Sequence, residues 1–176
     1  MKTKHLLKAF TLIMVMLFAI PLISNAQKVR KSLHDTVTAV VAGANLKIVY
    51  GSPAVNGRVI WGDLVPYDKA WRGGADEATL FTTDKAITVQ GKSLPAGTYS
   101  VFVIPGKDSW TYVFNSQTGQ WGIKRGGIAN YDESKNVLTV TAKPQAADMA
   151  EHLKYTIGSN GLSLHWEKLE APVAIQ

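Results

Sequence analysis

The chain has 176 residues, no cysteine and a formal charge of +6. Without Cys there are no disulfides, no thiol catalysis, no thiolate metal site and no lipid-bearing Cys behind a leader. The length suits one domain of ordinary size, able to bury a core without cross-links.

The amino terminus reads as a secretory leader. Lys2, Lys4 and Lys8 precede an apolar run over residues 9–23, and Ser24-Asn-Ala26 puts small side chains just before Gln27. At about 15 residues the run falls short of the ~20 that a spanning helix needs. The expectation is a signal peptide over 1–26 and a single domain over 27–176. The protein would be exported, periplasmic or secreted, with no membrane insertion once the leader is removed. Without the three leader lysines the formal charge falls from +6 to +3. The remaining basic residues cluster only at Lys28-Val-Arg-Lys31 and Lys124-Arg125, which is too little for a nucleic-acid partner.

Residues 27–31 form a polar, basic arm. Residues 36–41 are rich in β-branched side chains and predict a strand. Gly43 and Asn45 supply a turn. Leu46, Ile48 and Tyr50 then alternate with Lys47 and Val49 in a second strand. Residues 50–78 break the pattern. They hold two Trp, two Arg, four acids and five Gly with neither a helix nor a strand period. Such a stretch reads as a folded loop of the kind that carries function.

Strands resume at 79–83 and 87–89, and 91–97 is turn chemistry. The apolar run 98–104, ending at Pro105-Gly106, predicts a central strand covered on both faces. A strand over 110–114 follows. Residues 115–133 contain Gly119, Gly122, Gly126 and Gly127 with Trp121 and Tyr131, and are too long for an idle connection: functional or mobile. Leu138, Val140 and Ala142 alternate in a strand that Pro144 ends, and residues 145–151 predict one helical turn. In the last hairpin Leu153, Tyr155 and Ile157 face one way and His152, Lys154 and Thr156 the other. Gly158-Ser-Asn-Gly161 closes it, and Leu162, Leu164 and Trp166 continue the apolar face. About nine short strands without a long helix predict an all-β fold, an antiparallel two-sheet sandwich or a jelly-roll-like barrel.

The candidate chemistry is sparse. His152 and His165 fall on the polar face of the hairpin without lying opposite each other, so they read as exposed strand histidines, not metal ligands. A metal site would need His34 to come across the fold. Asp76 and Glu77 are adjacent, and neighbouring strand residues point to opposite faces, which makes them a poor acid/base pair. Two alternatives stay open. Asp63 or Asp68 converges with one of them as in a glycosidase, or one of them pairs with Arg58 or Arg72 and stiffens the loop. There is no nucleophile elbow and no phosphate loop. No metal and no cofactor is expected.

Trp110 and Trp166 sit in strands and read as core. Trp61, Tyr67, Trp71 and Trp121 sit in aperiodic, Gly-flanked segments. One reading is a cleft lined by Arg58, Trp61, Tyr67, Trp71, Arg72, Glu77 and Trp121 that binds a carbohydrate or another small polar ligand. A second is a structural cap over the open end of the sandwich, in an envelope-associated scaffold. A carboxylate hydrolase is the third and least favoured.

Longer stretches carry a resemblance. Ser52-Pro-Ala-Val-Asn-Gly-Arg-Val-Ile-Trp-Gly-Asp-Leu-Val-Pro-Tyr67, Trp71-Arg-Gly-Gly-Ala-Asp-Glu-Ala-Thr79, Leu94-Pro-Ala-Gly-Thr-Tyr-Ser100, Ile104-Pro-Gly106, and Trp110 with Phe114-Asn115 resemble the DUF2911 family. Its members are exported bacterial proteins common among Bacteroidetes. The resemblance implies an exported β domain and no particular reaction. It also implies Asn as the usual residue where this chain has Asp76, which argues against a fixed catalytic role for that carboxylate.

Overall fold

A computed structural model describes residues 32–159 and 161–176. The expected leader and the arm up to residue 31 lie outside the described residues. Six strands form one antiparallel sheet in the order β1-β2-β3-β6-β7-β8: β1 (Leu33–Val41), β2 (Ala44–Ser52), β3 (Ala75–Thr83), β6 (Gly97–Pro105), β7 (Trp110–Asn115) and β8 (Asn136–Ala142). β9 (Gln145–Gly158) and β10 (Gly161–Val173) make a long ribbon, and β4 (Ile87–Val89) with β5 (Lys92–Leu94) a small hairpin. The ribbon packs on one face of the large sheet, so Leu46, Ile48, Val101, Val103 and Val140 share a core with Leu153, Leu162 and Leu164.

Local sequence accounts for most of these elements. The β1–β2 turn has Ala42 and Gly43 both at positive φ, and the β4–β5 turn has Gln90 and Gly91 likewise, the geometry a two-residue hairpin needs. On β2 the alternation buries Leu46, Ile48 and Tyr50. β6 is central and covered twice. Val101 and Val103 enter the main core, while Phe102 points to the other face and stacks on Tyr131 at 4.5 Å.

The structure bears out the all-β fold, decides between its two expected forms and overturns one expectation. The large sheet ends at β1 and β8, which do not pair, so the fold is a sandwich and not a closed barrel. The outward edge of β8 is instead covered by side chains: Gln90 Nε2 donates to Thr141 O and Lys92 Nζ to Thr139 O. Residues 145–151 make no helical turn. They belong to β9, where Gln145, Ala146 and Ala150 pair with Glu170, Leu169 and Glu167. Cross-strand pairing outweighs the weak helical preference of this Ala-rich segment.

Candidate functional site

Residues 53–74 connect β2 to β3 by way of both layers. At the start, Val55 N–H donates to Glu151 O and Leu153 N–H to Pro53 O, which ties the loop to β9. At the end, Trp71 and Val103 exchange both backbone hydrogen bonds and Asp68 N–H donates to Pro105 O, which ties it to β6. Tyr155 Oη adds a bond to Gly73 O at 2.8 Å. The loop therefore closes one end of the sandwich.

Its two indoles go into that closure. Trp61 lies 4.4 Å from Trp110 and edge-on to Trp71 and Trp166 at 6.1 and 6.0 Å. Trp71 stacks on Trp166 at 5.9 Å. Among the described residues the indole N–H groups of Trp61, Trp110 and Trp166 are buried without a hydrogen-bond acceptor.

A second segment reaches the same end. Ala78 N–H donates to Gln120 O and Gly122 N–H to Asp76 O, so residues 120–122 run beside the start of β3. Beyond them a short hairpin closes through Lys124 N–H to Ile128 O and Asn130 N–H to Gly122 O. Between this hairpin, the 53–74 loop and β9 lies a cleft of about 610 Å³. Arg58, Trp71, Arg72, Asp76, Trp121 and His152 line it, with Trp166 and the exposed Leu64. Of the residues singled out from sequence, Arg58, Trp71, Arg72 and Trp121 are thus brought together. Trp61 lies within the indole cluster, Tyr67 packs over Gly62, and Glu77 turns toward His34.

The backbone explains that last placement. Asp76 has φ +64°, a left-handed conformation that breaks strand alternation at the start of β3. Asp76 and Glu77 therefore do not face opposite ways. Both carboxylates approach His34 Nε2, at 3.7 and 3.4 Å. His34 arrives through the register His34↔Gly51↔Ala75, in which Gly51 has no room for a side chain: a Cβ there would lie 2.2 Å from Ala75 O. No local signal in the sequence marks His34 or His152 as part of this end of the molecule.

The expected Arg–carboxylate pair does not form. Arg72 Nε donates to Gly74 O at 3.1 Å and Nη1 to Asp76 O at 3.2 Å. Its stem lies across Gly122, where a Cβ would come within 2.4 Å of Arg72 Cδ. Arg58 donates through Nε to Val55 O at 3.0 Å and through Nη2 to Ala54 O. Among the described residues neither guanidinium has a carboxylate within ion-pair distance. Burial lowers the Arg72 pKa, and the charges of Asp76 and Glu77 oppose that shift. Among the described residues no group of three or more His, Cys, Asp or Glu is arranged to hold a metal ion, and no helix is long and apolar enough to cross a membrane.

The family model for DUF2911, a family of proteins of unknown function, matches residues 32–175. The chain belongs to this family. No curated protein and no solved structure matches it.

Proposed function

We propose that the protein is an exported binding module whose cleft takes a small polar ligand, with a carbohydrate as the best chemical fit. The observation that carries this reading is the cleft itself. Its 610 Å³ falls within the roughly 300–1,000 Å³ of ordinary ligand sites. Trp71 and Trp121 offer flat faces for a sugar ring, and guanidinium and imidazole groups offer polar anchors beside them. A second reading, a purely structural cap, is favoured by the packing of Trp61 and Trp71 against the core tryptophans.

Trp121 separates the two readings, because it lines the cleft yet stands outside the four-indole cluster. Titration with a panel of neutral and acidic oligosaccharides is expected to change Trp fluorescence. Trp121→Ala should abolish most of the response at unchanged melting temperature. A panel that leaves the fluorescence flat favours the cap. For export, the mature protein in the native host is expected to begin at Gln27. An intact leader on protein held in the inner membrane refutes it.

The acids do not support a hydrolase. Asp76 and Glu77 meet at His34 instead of facing each other across the cleft, so no reaction is proposed.

A further inference from the structure

We infer that the ligand of the cleft is an acidic saccharide, one whose carboxylate is received by the unengaged donors of Arg72 and Arg58. The inference rests on the reading of the cleft as a ligand site and names the class of ligand. A guanidinium has five N–H donors in a fixed fork. Arg72 uses one on Gly74 O and one on Asp76 O; Arg58 uses one on Val55 O and one on Ala54 O. Among the described residues three donors remain on each, and both residues line the same opening.

The carbonyl bonds fix each fork before any ligand arrives, which lowers the ordering cost of binding. For Arg72 the stem is also held against Gly122. A half-buried cation that, among the described residues, bonds to neutral carbonyls alone is unusual, because carboxylates stand nearby and still do not pair with it. Asp76 and Glu77 are drawn to His34 instead. Among the described residues the lining carries one acid, Asp76, against the two arginines, which leaves the wall with an excess of positive charge. An oxyanion on the ligand would supply a directly hydrogen-bonded counter-charge, beyond the longer-range charges of Asp76 and Glu77, and Arg is the side chain best shaped to hold a carboxylate bidentately. Trp71 and Trp121 then provide stacking faces for the pyranose that bears it.

The test compares trigalacturonate, a neutral trisaccharide of equal length and inorganic phosphate by calorimetry and Trp fluorescence at two ionic strengths. Trigalacturonate is expected to bind at least tenfold more tightly than the neutral sugar, as charge-assisted hydrogen bonds allow. Added salt should narrow that gap. Arg72→Gln should erase the preference while the weak neutral binding persists. Arg58→Gln, at an exposed position, should reduce it in part. Equal binding of the acidic and neutral sugars overturns the carboxylate inference and leaves the cleft reading standing. Phosphate binding as tightly as trigalacturonate overturns the saccharide assignment. Silence from all three probes removes both the inference and the reading beneath it.

Discussion

Asp76 is the residue whose replacement tests the geometry of the site most directly. Its left-handed φ of +64° turns its carbonyl outward, where it accepts Gly122 N–H at 3.0 Å and Arg72 Nη1 at 3.2 Å. An ordinary L-residue held in this conformation costs about 1–2 kcal/mol, while Asn and Asp bear it more easily. Asp76→Asn therefore keeps the backbone and loses the charge that faces Arg72 and a partly exposed His34, with the His34 contact worth about 0–1 kcal/mol. Asp76→Ala should cost about 1–2 kcal/mol. Asp76→Val is worse, because a β-branched residue resists positive φ. Either the strain remains, or the peptide reverts to extended backbone and forfeits two hydrogen bonds of about 1 kcal/mol each. Gly should fall near Asn, since its freedom from strain offsets an entropy cost of about 0.5–1 kcal/mol. Urea melts of the four variants, with m-values compared, give the order. If Ala and Val prove as stable as Asn, the left-handed turn is not what holds Arg72 and the 120–122 segment in place.

Leu164→Ala, which truncates a fully buried side chain in the shared core, should destabilise by about 2–4 kcal/mol in a denaturant melt; a change below about half a kcal/mol contradicts its placement. At alkaline pH the buried tyrosines should set the limit of stability. Burial, with a smaller push from Asp35, raises Tyr50 to about 12, and burial raises Tyr112 and Tyr155 as well. The unfolded phenol ionises near 10, so the stabilisation is complete below about pH 10 and is lost as pH climbs through about 12. Phenolate absorbance from these residues should appear together with loss of the circular dichroism of the sheet. Ionisation of all tyrosines near pH 10 with the fold intact would refute the assignment.

The parts of the fold that the sequence reveals are those governed by a period. Leu46, Ile48 and Tyr50 announce a half-buried strand, and the unbroken run 98–104 announces β6, whose Val101 and Phe102 enter opposite cores. Residues 145–151 escape that logic, because their strand character comes from pairing with residues 167–170 and not from their own composition. The site is legible only as a neighbourhood. Composition points to the 50–78 and 115–133 segments, but the lining depends on where they touch down. The 53–74 loop lands on β9 at Val55 and on β6 at Trp71, contacts with no local signature. The alternation rule fails at Asp76 because one backbone angle changes sign, and that change sends two carboxylates to His34 and leaves Arg72 to carbonyls.

Trp61 and Trp71 show most clearly why composition stops short. They are the same residue type on the same loop with the same glycine-rich surroundings, and no property of the sequence distinguishes them. Both are partly buried against the core, but Trp61 meets three other indoles and stays off the cleft, whereas Trp71 stacks on Trp166 and also lines it. The cap and the binding wall are therefore joined in one side chain. Truncating Trp71 would perturb stability and ligand binding together, and the distinction between cap and site falls to Trp121 and the two arginines, which line the cleft without joining the indole cluster.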